Sequence, residues 1–216
     1  MTGYWSEFSS LALIHLMAVL MPGPDFAITV RQSLRYGIRV GILTALGIGL
    51  GLSVHVAYTL VGVSALMKSW PWLMTAAELL GAGYLIFLGG RLLVSRAASI
   101  NPLAAEAADL SSSTIPPPSW RQALMIGVMT NATNPKATLF FLAIFTTIVS
   151  PSTPFMIQLG YGAWMCSINA LWFMCVAIFF AQAKVRQYFL KMGHWLERIV
   201  GLLLIGFAVR LVTAVA

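Results

Sequence analysis

Asp25 and Lys136 are the two residues of this 216-residue chain whose surroundings most demand a chemical explanation. Each follows a proline directly, in MPGPDF (Met21–Phe26) and NATNPK (Asn131–Lys136), and each is the only fully charged residue inside an otherwise apolar run. A charge in hydrocarbon costs about 2.5–3.5 kcal/mol on insertion scales, so such residues face a cavity or a partner. A carboxylate and an ammonium together match the two ends of a zwitterion. They also suit a static salt bridge between two helices, and at this level both readings stay open.

The prolines specify a local geometry. Proline fits the first position of a helix, where its missing N–H would have no partner anyway. Asn134 then reads as an N-cap, Pro135 as the first helical residue and Lys136 as the second; Gly23, Pro24 and Asp25 read the same way. An acid in the first turn is favourable by about 0.3–1 kcal/mol, whereas a lysine there opposes the helix dipole. Lys136 therefore calls for a compensating anion, either a carboxylate side chain or a bound ligand, and a ligand carboxylate is favoured for at least part of the working cycle. The expected substrate-binding set is Pro22, Gly23, Pro24, Asp25, Asn131, Asn134, Pro135 and Lys136, with Asp25 also the candidate for proton coupling. In a regular helix with a rise of about 1.5 Å per residue, Asp25 lies roughly 9 Å and Lys136 roughly 20 Å from the cytoplasmic end. Direct contact between them is therefore not assumed.

Other polar residues carry weaker signals. His15, His55 and Glu78 are secondary candidates, the histidines reading equally well as packed, hydrogen-bonded residues. Asn131, Thr133 and Asn134 either contact a ligand or satisfy the interrupted backbone. The glycines of GIGLG (Gly47, Gly49, Gly51), GAGY and LGG read as close-packing surfaces. Cys166 and Cys175 read as buried free thiols. No phosphate-binding G-x-x-x-x-G-K-[ST] loop, H-E-x-x-H, carboxylate pair or Cys/His cluster occurs in the chain. Neither enzymatic chemistry, a cofactor nor a metal site is expected.

The elements that must position these residues follow from composition. The chain is 59% hydrophobic and 9% charged, against about 25% charged in a soluble domain. That marks an all-α polytopic membrane protein. Six segments are long and apolar enough to span a bilayer, roughly 8–30, 40–67, 72–93, 121–149, 155–180 and 196–215. The N-terminal MTGYWSE carries an acid and no base, unlike a removable signal peptide. Ten Lys and Arg flank one set of connections and only Lys68 and Arg210 the other. This bias places both termini outside the cytoplasm. Tyr4, Trp5, Trp70 and Trp72 would then line the outer interface, and Tyr36, Trp120, Tyr188 and Trp195 the inner one. The arginines sit at segment ends rather than in a basic run, so the net charge of +7 points to topology and not to nucleic acid.

The Ala/Ser/Pro-rich stretch 95–120 reads as a cytoplasmic linker between a three-span half (1–94) and a second (121–216). An odd number of spans per half forces opposite orientations, the arithmetic of an inverted repeat. The first span of each half is the broken one, at PGPD and NPK, and interrupted segments in corresponding positions mark a transporter's binding site.

At these residues the chain resembles the LysE/RhtB family of bacterial inner-membrane amino-acid exporters, closest in appearance to its homoserine/threonine branch. The resemblance is carried by PGPDFAITVRQSLRYGIRVGILTALGIGLG, His55, GAGYLIFLGGRLL and GVMTNATNPKATLFFLAIF, and covers essentially the whole chain. It implies a six-span fold and efflux of amino acids driven by the proton gradient. A metal-ion exporter of a related family is the alternative. The partners implied are a small amino acid, protons and the lipid bilayer, and self-association stays open.

The charge distribution yields a direct test of topology. A cysteine at position 112, introduced by Ser112→Cys, should resist membrane-impermeant thiol reagents applied to intact cells; efficient labelling there would invert the orientation.

Overall fold

A computed structural model of the chain describes residues 2–69, 71–94, 116–150, 152–182, 184–185, 195, 198–209 and 213. All regular structure among them is helical. The helices are α1 (Thr2–Leu20), α2 (Pro24–Tyr36), α3 (Ile38–Ser69), α4 (Pro71–Val94), α5 (Trp120–Ala132), α6 (Pro135–Thr147), α7 (Phe155–Phe179) and α8 (Arg198–Val209). The expected linker 95–120 lies outside the described residues up to position 115, as do Arg186, Tyr188, Lys191 and Arg210. Glu78 falls within α4, but its side chain, like that of Lys68, is also outside them.

Both expected interruptions are present. At the first, Met21 N–H donates to the Ala18 carbonyl (3.3 Å), closing the end of α1 with a tight turn. Gly23 is extended, and Pro24 opens α2 at 51° to α1. At the second, α5 stops at Ala132, Asn134 is extended and Pro135 opens α6. Proline removes a donor from the ladder and its ring clashes with the preceding turn, so neither run can continue as one helix.

By length and composition, α3 (over Ile38–Gly62) and α7 can each cross a membrane alone, and the bent α1–α2 pair qualifies as a third span. Leu79–Val94, α6 and α8 are apolar but shorter. The first segment is longer than the expected 8–30, because α1 begins at Thr2 and α2 runs to Tyr36. Its polar start is absorbed locally: Ser6 and Ser9 hydroxyls donate back to the Gly3 and Trp5 carbonyls (2.8 and 2.6 Å). Glu7 accepts from Ser150 N–H (3.2 Å) and the Thr153 hydroxyl (2.8–2.9 Å), tying the start of α1 to the α6–α7 loop. At the far end of α2, Gly37 takes φ +91°, a left-handed conformation that glycine adopts without strain. That turn lets α3 start after one residue.

The long α3 is the centre of the packing, against α5 and α7 above all. Its glycines read correctly as contact surfaces and serve two neighbours. A Cβ on Gly47 would collide with the Leu124 carbonyl of α5, and one on Gly51 would stand 2.7 Å from the Val128 carbonyl. On another face, a Cβ on Gly49 would come within 2.6 Å of Ala170 in α7. Gly127 of α5 completes the crossing from the other side, its missing Cβ leaving room for the Thr44 carbonyl. The Thr44 hydroxyl lies 3.2 Å from the Ala123 carbonyl there. Backbones this close gain van der Waals contact, the main attraction between helices once lipid has replaced water.

Buried side chains form two clusters. One joins Leu11, Leu85, Phe141, Phe145 and Met165; the other joins Phe26, Ile48, Phe173 and Val176. Large apolar residues also cover the outside, among them Trp5, Val61, Leu80 and Met156, as lipid-facing surfaces require. The cysteines correct the expectation of burial: both are free, but Cys166 is half-buried and Cys175 is exposed. In an apolar helix facing lipid, an apolar residue gains nothing decisive by turning inward. Tyr36, Trp120 and Trp195 each carry the arginine beside them over the ring, at 5.1–5.8 Å from the centroid.

The α3–α5 crossing is the packing contact least able to yield. Gly127→Leu should cost at least the about 1–3 kcal/mol typical of overpacking, read as a lower yield of folded protein and a lower Tm in detergent. Gly83→Ala, with open space around it, should leave both unchanged.

Candidate functional site

The two breaks meet. The N-termini of α2 and α6 converge on a cavity of about 60 Å³ at the seam between the apolar clusters, with Phe140 and Phe141 from one and Phe26 and Phe173 from the other on its walls. Gly23, Pro24, Asp25, Asn131, Asn134 and Lys136 of the expected set line it, and so does His15. Pro22 and Pro135 shape the breaks without lining the cavity. The regular-helix depths that separated Asp25 from Lys136 do not apply, because both runs are interrupted and the first bends by 51° at its break.

Each side chain is placed by a local rule. Gly23 is the N-cap of α2, followed by Pro24 and Asp25 in the first turn. Asn134 is the N-cap of α6, its Oδ1 accepting from Lys136 N–H at 3.0 Å. With Oδ1 so used, Asn134 Nδ2 is left to donate, and it reaches Asp25 Oδ2 at 3.3 Å. Asn131, one turn earlier at the end of α5, donates to the same Oδ2 at 2.9 Å. One carboxylate oxygen is thereby held by two amides from the opposite half of the chain. A hydrogen bond to a charged group contributes about 1.5–3 kcal/mol, so two of them offset the roughly 2.5–3.5 kcal/mol cost of a charge at membrane depth. The carboxylate also stands beside the N-cap of α6, where it favours both half-helix ends and counters the misplaced positive charge of Lys136.

The other oxygen is different. Asp25 Oδ1 is buried and accepts no hydrogen bond. Lys136 extends past Gly23, its Nζ 3.7 Å from where a Cβ of that glycine would stand. Asn131 Oδ1, His15 Nδ1 and Asn169 Nδ2 are likewise buried without partners, and all four residues line the one cavity. Buried polar atoms are nearly always paired. Four around a single space make it a candidate binding site for a polar ligand.

His55 stands behind the cavity instead of in it. Its Nε2 lies 2.8 Å from the Asn131 carbonyl, which can only accept, so Nε2 carries the proton. Nδ1 then accepts from the Tyr58 hydroxyl at 2.9 Å. The ring adds a second bond to a carbonyl that already accepts from Asn134 N–H at 2.8 Å and holds Asn131 toward Asp25. Tyr84 of α4 reaches the start of the other half-helix, its hydroxyl 3.2 Å from the Lys136 carbonyl. Thr133 bonds back to the Met129 carbonyl at 2.7 Å and is exposed, so of the three polar residues at this break only the asparagines face Asp25.

Sequence reasoning missed Asn169. It lies in α7, away from either break, and is only 4% exposed. The available signal was a carboxamide in the middle of a 25-residue helix without a charged residue, but periodicity alone cannot say which neighbour such a residue faces.

Asn134 has two separable duties. Asn134→Ala removes the cap and the bond to Asp25 and should cost about 1 kcal/mol of stability. Asn134→Ser keeps a capping oxygen without the amide donor, so the Tm should recover while transport does not; recovery of both would reduce the residue to a cap.

Comparison with known proteins gives the family of the chain. The LysE type translocator family model matches residues 16–215. The chain is 28% identical to a threonine efflux protein of Salmonella typhi, over 95% of this chain and 97% of that one. It is 26% identical to the threonine efflux protein of Escherichia coli K12 over the same shares. A leucine efflux protein of Enterobacter sp. 638 is 30% identical over 89% of each chain. No solved structure matches. With almost its whole length matched, and with both breaks inside the match, the chain is a membrane protein of the LysE type translocator family.

Proposed function

We propose that this chain exports small zwitterionic amino acids from the bacterial cytoplasm across the inner membrane, in exchange for protons. Amino-acid efflux is the function its relatives carry, and both threonine and leucine exporters are among them. The observation that carries the reading is the buried, unpartnered Asp25 Oδ1 in a cavity also lined by Lys136, where two half-helix N-termini meet. Asp25 Oδ1 and Asn131 Oδ1 are acceptors for a substrate ammonium, which has three protons to donate. Lys136, with the N-terminal end of α6, takes the carboxylate. Release of the ammonium strips Asp25 of its counter-charge, and a proton from outside replaces it. A cavity lined by an ammonium repels metal ions, and its chemistry offers nothing in favour of metal export.

The architecture belongs to the same proposal. Residues 1–94 and 121–216 form two inverted three-span halves joined by 95–120, with α1–α2 and α5–α6 as their corresponding broken spans. Supporting this, both second helices begin identically, as N-cap, proline and charged residue: Gly23-Pro24-Asp25 and Asn134-Pro135-Lys136. Both termini lie outside the cytoplasm on this reading. A cavity of about 660 Å³ between the end of α2 and the start of α5, lined by Gln32, Tyr36, Gln122 and Met129, would open toward the cytoplasm.

Two variants test the site in proteoliposomes. Asp25→Asn should accumulate normally and lose uphill, proton-driven export by at least tenfold; undiminished export against a gradient would sink the assignment. Lys136→Met keeps the stem and should be equally inactive. A static salt bridge predicts instead that the Asp25→Lys, Lys136→Asp double variant recovers activity.

A further inference from the structure

The cavity holds more polar atoms than the backbone of an amino acid can use. Asp25, Asn131 and Lys136 suffice for an ammonium and a carboxylate. His15 and Asn169 remain, on α1 and α7. They are neighbours: His15 Nε2 lies 3.2 Å from the Met165 carbonyl, and Asn169 follows Met165 by one helical turn on the same face of α7. A carbonyl can only accept, so His15 Nε2 carries the proton and Nδ1 of the neutral ring is an acceptor. The faces of the ring are covered by Phe140, Phe141 and Trp164, with centroids 6.0–6.3 Å away. His15 is 2% exposed and Asn169 4%. The pair therefore presents one buried acceptor, His15 Nδ1, and one buried donor, Asn169 Nδ2, both unpartnered and both at the cavity that holds Asp25.

We infer that His15 and Asn169 form the subsite that reads the substrate's side chain, and that they select a small side chain bearing a hydroxyl. A hydroxyl is the group that donates one hydrogen bond and accepts another, so it satisfies Nδ1 and Nδ2 together. An aliphatic side chain in the same place leaves both unpaired. The relatives include exporters of both threonine and leucine, so similarity does not choose between a polar and an apolar side chain; these two residues do. The inference rests on the proposed amino-acid export and concerns its selectivity.

Threonine and valine are close in shape and differ by hydroxyl for methyl, so their ratio is the measurement. Sites built to hydrogen-bond a substrate hydroxyl discriminate strongly against the analogue that lacks it. Full-length protein in proteoliposomes should export labelled threonine at least tenfold faster than valine at equal concentration. Asn169→Leu, an apolar change in an apolar helix, and His15→Phe should each bring the ratio near one. A wild-type ratio near one, or variants that keep the wild-type ratio, would overturn the subsite. Should either variant fail to accumulate, the other and the wild-type ratio decide. Export of neither amino acid, nor of any other in a panel, would instead defeat the reading of the chain as an amino-acid exporter.

Discussion

A helix interrupted inside a bilayer must find partners for the backbone groups and the charge it exposes, and here both interruptions find them in each other. Asp25 Oδ2 is gripped by Asn131 and Asn134, residues more than a hundred positions away. The bond from Asn134 uses the far end of the side chain that caps α6. Remove that arrangement and three separate costs appear at once: a buried carboxylate, an uncapped half-helix and a lysine against the positive end of a dipole. The position of α1–α2 relative to α5–α6 is fixed by this requirement more than by apolar contact.

The rest of the bundle brings those breaks together. Glycine-lined crossings let α3 approach α5 and α7 at backbone distance, which sets Asn131 within reach of both His55 and Asp25. Tyr84 reaches the Lys136 carbonyl in α6, so the second half-helix is also held from α4. At the start of α1, Glu7 bonds to Ser150 and Thr153, while the Tyr161 hydroxyl donates to the Tyr4 carbonyl at 2.9 Å. The N-terminal helix is thus anchored at the α6–α7 loop and α7, and bends at its other end around the binding cavity.

Selective satisfaction is what separates a binding site from a structural polar cluster. In a purely structural cluster every buried donor and acceptor would have a partner within the protein. Around this cavity Asp25 Oδ2, Asn134 and His15 Nε2 are paired, while Asp25 Oδ1, Asn131 Oδ1, His15 Nδ1 and Asn169 Nδ2 are not. The paired atoms fix orientation and the unpaired ones face the space. Low dielectric makes each of these orphan groups costly until a ligand arrives, which gives a polar ligand an affinity that lipid or an apolar metabolite lacks.

What the sequence determined by itself was local. Proline after Gly23 and Asn134 dictates where two helices restart, so the caps, the breaks and the first-turn positions of Asp25 and Lys136 were legible residue by residue. Low charge and long apolar runs likewise dictated a helical membrane protein, and the glycines of GIGLG marked contact faces, whereas Gly83 of GAGY and Gly90 of LGG, expected to do the same, meet open space. Tertiary structure decided which atoms meet. That Asn131 and Asn134 both reach Asp25 Oδ2 depends on how the two breaks pack against each other, which no dihedral preference specifies. That His55 props the site while His15 lines it depends on which neighbour each helix face meets, and both are equally buried histidines in apolar sequence. Asn169 could not be read at all: nothing within a turn of it is polar enough to signal a site, and its role exists only because α7 packs across α1 with that face toward Asp25.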